Sequence, residues 1–423
     1  MDNDSLTALK TREQLEAFMG IFYPRFSKPE GAFIGQMLYG VQAARDVKLS
    51  SVSRALGEPV GLKKTMERLS RHLAKEGMAE TVCDCVMGEA AAHVGRDTLI
   101  ILDPTDIQKD YAKKMPYLAK VWDGSRGCVG ENLGYGGCAA VACELDRRKI
   151  VPLHLRLWSS EAPGYKSEND EIEKVIDAVS VKTGGRGVYV FDRGGDRFNL
   201  FKSFHSRGLD FIIRLVGNRG VSFRGKLRLA EDVARKCRMR YAETVEYDSS
   251  DEGVKKVEIQ YGSVEVRLPD EELPPLRMVV VRGFSEKPMM LLTTLKAHGS
   301  RERLERVVHG YLSRWRVEDT IRYIKQSYRL EDMRLMDYTR LRNMTAIVLA
   351  AAYFASTWLG KSARLSLLVR HVTAVSKRMF AVPEFFYYAI ADGISMLFSR
   401  HGKWTRTPRD ATTEPRQMEL AFT

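Results

Sequence analysis

Two short apolar runs, DTLIILD (97–103) and GVYVFD (187–192), each close on an aspartate. Aliphatic and β-branched runs of this length read as buried strands, and the closing acid lands at a strand end. Between them, GCAAVACELD (137–146) and KIVPLHLRLWS (149–159) read as two further strands joined by a charged turn. Helical spacing follows in SENDEIEKVIDAVSVKT (167–183). DRFNLFKSFHSRG (196–208) suits a second helix and DFIIRLV (210–216) another strand. Hairpin strands first and strand–helix units later imply an α/β fold, a mixed sheet with helices packed on it.

The flanking segments have other textures. Residues 1–94 read as mostly helical. Within them, KLSSVSRALGEPVGLKKTMERLSRHL (48–73) reads as helix, turn, helix, with Ser50 or Ser51 as a cap. Its second helix carries Lys63, Lys64, Arg68, Arg71 and His72. This suits a helix-turn-helix DNA reader and equally a helical hairpin with a solvated basic face. Residues 218–300 alternate in short runs such as KKVEIQYGSVEVRL (255–268) and LRMVVVRGF (276–284), and read as a β-rich insertion. From Ser300 to Tyr328 the pattern is helical, with Ser300 as N-cap and Arg303 where a capping box would have an acid. A second apolar helix covers about 341–360. Its most apolar stretch, 344–359, is too short and too rich in Thr and Ser for a membrane span and reads as a core helix. The glycine-rich stretch DGSRGCVGENLGYGG (123–137) has neither phosphate-loop nor dinucleotide spacing and is expected to be a mobile loop. The tail from Thr405 is polar and expected to be loose. The expected division is therefore 1–94, 95–217, 218–300, 301–360 and 361–423.

With 44% hydrophobic and 29% charged residues in 423, the chain can bury a large core. Its net charge of +13 favours a polyanionic partner, nucleic acid being the commonest. The six cysteines form no C-x-x-C pair, which argues against zinc and fits reduced thiols inside a cell. The polar, acidic N-terminus has no signal-peptide core.

The residues that carry chemistry cluster in YLSRWRVEDTIRYIK (311–325). On a helix, Tyr311, Arg314, Glu318, Arg322 and Lys325 fall within an arc of roughly 80°. One face then shows a tyrosine, three cations and a single carboxylate. Such a carboxylate can hold a metal while the cations grip phosphates, or it can form plain i,i+4 surface pairs. Asp103 and Asp192 tip the balance, because strand-end acids and a helix acid can converge on one small volume. Asp106, Asp110, Asp123 and Asp196 are the local competitors.

Tyr311, Arg314, Glu318 and Lys325 reproduce Y-(2)-R-(3)-E-(6)-K without a gap. The chain thereby resembles bacterial insertion-sequence transposases of insertion-sequence family four. The likeness extends to ILDPTD (101–106), with Thr105 in the D-x-T place, and to FDRGGDRF (191–198). It implies a ribonuclease-H-like mixed sheet interrupted by a β-rich insertion, with a helical N-terminal DNA-binding domain. It also implies an acidic triad of Asp103, Asp192 and Glu318 holding two Mg²⁺ or Mn²⁺ ions. Tyr311, Arg314 and Lys325 would hold transposon-end phosphates, with Arg322 and Arg214 as further DNA contacts. The partners implied are double-stranded DNA, both terminal inverted repeats and target, and a second copy of the chain in the DNA complex. No membrane is involved, and the location implied is a bacterial cytoplasm, at the nucleoid. In one respect the sequence departs from the pattern. Some members stack a tryptophan, just before a Leu-Leu-Thr segment, on a flipped base; here MMLLTT (289–294) has Met289 and Met290. Two rival readings remain, a metal nuclease that cuts without joining and a transposase-derived DNA-binding protein without activity.

Overall fold

The computed structural model describes residues 3–109, 112, 114–123, 128–145, 150–249, 253–269, 273–314, 326–360, 368–373 and 386–401. Five helices come first: α1 (Asn3–Met19), α2 (Lys28–Ala44), α3 (Leu49–Leu56), α4 (Leu62–Leu73) and α5 (Met78–Ala90). Strands β1 (Leu99–Gln108), β2 (Ala119–Asp123), β3 (Cys128–Cys143) and β4 (Ile150–Trp158) follow. Then α6 (Glu168–Thr183), β5 (Val188–Phe191), α7 (Phe198–Ser206) and β6 (Asp210–Arg214) alternate. Ser167 caps α6 by accepting from the Asp170 N–H, and Gly184 ends it in the left-handed conformation.

Among the described residues, ten strands form one sheet in the order β2-β3-β1-β5-β6, continued by four later strands, with β4 also paired to β3. Strand β3 runs antiparallel to β1 and β4, whereas β1, β5 and β6 are parallel. This is the expected ribonuclease-H-like mixed sheet. Beyond β6 come β7 (Gly220–Phe223), β8 (Lys226–Leu229), α8 (Ala230–Arg235), β9 (Tyr241–Ser249), β10 (Gly253–Val266), β11 (Leu276–Arg282) and β12 (Met289–Thr293). β7 and β8 form a separate hairpin that touches the rest through a bridge between Ser222 and Arg267, while β12, β11, β10 and β9 extend the main sheet outward from β6. The β-rich segment therefore widens the same sheet.

Side chains alternate across a strand, so neighbouring residues face opposite layers. On one face Phe201 and Phe204 of α7 pack on Phe211, and Phe204 on Tyr189. The other face receives α9 (Arg301–Leu312), which follows β12, and beside it the N-terminal helices.

Helix Tyr338–Ser356 is buried at fifteen of its nineteen positions and ties these helices to the sheet. Phe18 packs on Tyr353, Phe354 and Trp358, and Gln42 donates to the Ala351 carbonyl at 2.7 Å. Asn343 accepts from the Ala79 N–H and donates to Leu73 and Lys75 carbonyls. The stretch 344–359 is thus a core helix, and no helix among the described residues is long and apolar enough to cross a membrane.

Two expectations need correction. The stretch 123–137 is not a loop at its C-terminal end, since residues 128–137 lie within β3. Its glycines are there because strands close in on them. A Cβ at Gly136 would sit 2.6 Å from the Trp158 indole nitrogen, and one at Gly134 would run into the Ile107 carbonyl. In α4, two members of the presumed basic face are used internally. Arg68 pairs with Glu58 at 2.7 Å and His72 stacks on Phe33, leaving Lys63, Lys64 and Arg71 exposed.

His154 of β4 is half-buried with its ring Nδ1 closed off from water, and burial beside Arg156 pushes its pKa down to about 4. The unfolded chain takes up a proton near pH 6.5 while the folded one does so only near pH 4. Stability is therefore full above pH 6.5 and drains as the pH falls towards 4, by at most about 3 kcal/mol and less where water reaches the ring. Urea denaturation between pH 7 and 4 should show a shallower loss for His154→Leu than for wild type; parallel curves would contradict the assignment.

Candidate active site

The parallel ladder between β1 and β5 matches Leu99 with Val188, Ile100 with Tyr189 and Ile101 with Val190. Two steps further the same register brings Asp103 level with Asp192. The ladder between β5 and β6 ends with Phe191 opposite Ile213, so one step further sets Asp192 level with Arg214. Extended past the last paired residues, the two registers thus line up Asp103, Asp192 and Arg214 as one row across three adjacent strands. Strand alternation puts Asp103 on the face of Leu99 and Ile101, and Asp192 on that of Val188 and Val190. Arg214 likewise shares the Ile212 face, the one that α9 covers.

Asp103 is not at a strand end, as its sequence position suggests. β1 continues through Gln108 because β3 pairs with it without a break, Asp103 opposite Ala139. Beyond Ile101 the ladder to β5 stops, so that side of β1 has no strand partner among the described residues, which suits Pro104. Asp192 does end its strand. Its carboxylate accepts the Gly194 N–H at 2.7 Å and caps a single 3₁₀ turn, Arg193–Gly195.

The competitors separate on geometry. Asp106 lies three residues past Asp103 and so on the opposite face of β1. Asp196 is buried in an ion pair with Arg219 at 2.6 Å and accepts the Val216 N–H at 2.7 Å, while burial pushes its carboxyl up. It fastens the loop after β5. Asp123 lies on β2, and Asp110 falls outside the described residues.

The second signature residue, Arg314, comes close to this row from the other layer. Ser300 caps α9 by accepting the Arg303 N–H, and the helix ends at Leu312, sooner than its periodicity predicts. Arg314 lies in the turn just past that end. Its guanidinium is 3.9 Å from the Asp103 carboxylate and 5.9 Å from the centre of the Tyr311 ring. Tyr311 and Arg314 are both buried, which separates this arginine from a solvated surface pair. Glu318, Arg322 and Lys325 lie outside the described residues, and among the described residues no three acidic, histidine or cysteine side chains form a metal cluster. Two hard carboxylates on one row do suit a divalent cation with oxygen ligands.

Three positioning residues escape the sequence patterns. Gly310 lets α9 lie low on the sheet: a Cβ there would be 3.0 Å from the Ile212 Cδ1 and 3.4 Å from Leu99. Arg197 binds the Asp192 loop to the start of α6, donating to the Gly194 carbonyl at 2.7 Å, Asn169 at 2.6 Å and Glu168 at 2.7 Å. Lys109, buried one residue past β1, donates to the Leu330, Glu331 and Met333 carbonyls, and burial pushes its ammonium down to about 8. The only early signal for any of them is the second arginine of DRGGDR (192–197). Met289 and Met290, where the tryptophan of some relatives would be, are buried in β12.

A family profile described as a transposase DDE domain matches residues 95–354. Comparison with curated proteins gives no match. Among solved structures, the chain is similar to the piggyBac transposase in its cryo-EM synaptic complex with hairpin DNA. That likeness has 10% identity and a TM-score of 0.41, over 95% of this chain and 72% of the other.

Substitution at Gly310 tests how the second layer is held. Gly310→Ala gains helix propensity and asks Ile212 to yield slightly, so its stability should stay within about 1 kcal/mol of wild type. Gly310→Val adds branches with no room and should cost about 1–3 kcal/mol. Denaturant midpoints decide it, and equal midpoints for both variants would show that α9 has slack.

Proposed function

The chain belongs to the transposase DDE family, and on that premise we propose that Asp103, Asp192 and Glu318 form its metal-binding acidic triad. The protein is a DNA transposase, an enzyme that cuts and transfers DNA strands with divalent metal ions. The observation that carries the residue assignment is the row on β1, β5 and β6, where Asp103 and Asp192 come level on the face covered by α9. Glu318 is four residues past Arg314, which is itself beside Asp103. Four residues of chain reach at most about 14 Å, a span that permits Glu318 to join the two aspartates.

Two Mg²⁺ or Mn²⁺ ions fit an all-oxygen donor set of this kind, and when bound they supply Lewis acidity to the attacking and leaving oxygens at phosphorus. The chain's own residues bind and orient the DNA. Arg314, Arg322, Lys325 and Arg214 grip phosphates on either side of the scissile bond, and Tyr311 carries Arg314 on its ring. The Arg314 guanidinium offsets the Asp103 carboxylate before substrate arrives. We assign the chain to insertion-sequence family four on the Y-R-E-K spacing. Residues 95–217 and 301–360 would be the catalytic core, 218–300 its insertion, 1–94 the end-binding region and 361–423 the C-terminal region. Exposed Lys63, Lys64 and Arg71 of α4 suit binding of the terminal repeats. A homodimer would hold the two ends together at the bacterial nucleoid.

Asp192→Asn should keep DNA binding and lose strand cleavage, because a carboxamide keeps the shape of the acid and is a poor ligand for a hard cation. A gel shift and a nicking assay on one preparation test this, and normal nicking would refute the metal role. Arg314→Ala and Lys325→Ala should each lower the log–log salt slope of binding to transposon ends by about 0.9. Titration at several salt concentrations reads the slopes, and three identical slopes would remove the phosphate clamp while leaving the triad standing.

A further inference from the structure

The geometry points to a base-stacking site at Tyr117: we propose that its ring receives an unpaired base of the bound DNA. Tyr117 lies just before β2 and is a 40% exposed residue. Its backbone is left-handed, with φ of 54°, a conformation that costs an aromatic residue free energy and persists only where its surroundings impose it. Those surroundings are explicit. The Tyr135 hydroxyl donates to the Pro116 carbonyl at 2.6 Å, and the Ser159 hydroxyl to the Tyr117 carbonyl at 2.5 Å. The peptide on each side of the strained residue is therefore latched, one to β3 and one to the end of β4.

The rings behind it pack on one another. Tyr117 meets Tyr338 edge-on at 5.4 Å, and Tyr338 stacks on the buried Tyr135 at 6.0 Å. Tyr135 is opposite Ile107 on β1, an even number of residues from Asp103. The aromatic group thus stands on the face of the carboxylate row, about 14 Å further along the strand. Lys114 and Lys120 flank Tyr117 three residues away on either side, are exposed, and make no ion pair with any described residue. An exposed ring between solvated cations is the arrangement that holds single-stranded nucleic acid, with the ring under a base and the cations on its phosphates. An interior packing role would not require exposure, strain and flanking exposed cations together.

The assignment of the acidic triad enters only through location. The test reads binding without metal, so it can fail while the triad stands, and Asp192→Asn can fail while this site stands. The probe is a transposon-end duplex with a short single-stranded flank carrying 2-aminopurine, titrated with the full chain in chelator. Wild type and Tyr117→Phe should quench the fluorophore equally. Tyr117→Gly should lose the quench and bind the flanked DNA about tenfold more weakly, while binding the fully paired duplex as wild type does. Glycine relieves the left-handed strain, so the variant is expected to fold, and its melting temperature reports this directly. Wild-type quenching by Tyr117→Gly, or equal loss of affinity for flanked and fully paired DNA, would overturn the proposal.

Discussion

The parallel pairing of β1, β5 and β6 is the constraint on which the site depends. Parallel register fixes which residues come level, and the two-residue period fixes which layer they face. A slip of one residue between β1 and β5 would turn Asp103 or Asp192 into the layer filled by α6 and α7. The short ladder is protected against that. Leu99, Ile100, Ile101, Val188, Tyr189 and Val190 are all essentially buried, so any slip would also expose apolar surface.

Two carboxylates on neighbouring strands repel, and the protein compensates from both layers. Arg314 arrives beside Asp103 from the turn after α9, and a backbone N–H caps Asp192. Each compensating group is anchored in turn. Gly310 sets how closely α9 lies on the sheet, Arg197 ties the Asp192 loop to α6, and the Asp196–Arg219 pair closes that loop from behind. Lys109 fastens residues 330–333 to the end of β1, so both ends of the interval holding Glu318 are fixed on the strand that carries Asp103.

Much of this was readable in the sequence, for physical reasons. The runs around Asp103 and Asp192 are apolar because strands covered on both faces leave little room for polar side chains, and Ser167 and Ser300 announce helix starts because their hydroxyls satisfy N–H groups locally. Features set by distant partners were not readable. The continuation of β1 past Asp103 depends on β3, thirty residues away. The glycines of 134–137 look like a loop until Trp158 and Ile107 are seen to occupy the space of their missing side chains. The periodicity of 300–328 runs through Leu312 without a break, yet Ser313 and Arg314 form a turn, and nothing local in that segment signals it. Arg68 looked like a DNA contact until Glu58 and Gln36 closed around it.

The helical layer is closed by residues from opposite ends of the described chain. Tyr39 stacks on Phe398 and donates to its carbonyl at 3.3 Å, Arg45 pairs with Asp392, and Ser395 donates to Ala43. A ribosome adding about 5–20 residues per second needs roughly 20–70 s to travel from Tyr39 to Phe398. Through that interval the parts of α1 and α2 that meet Phe386–His401 lack that partner. The helical layer is therefore completed only when the strands of the sheet have already been made. Order of synthesis thus sets order of assembly: the sheet is made before the helical layer beside it can close.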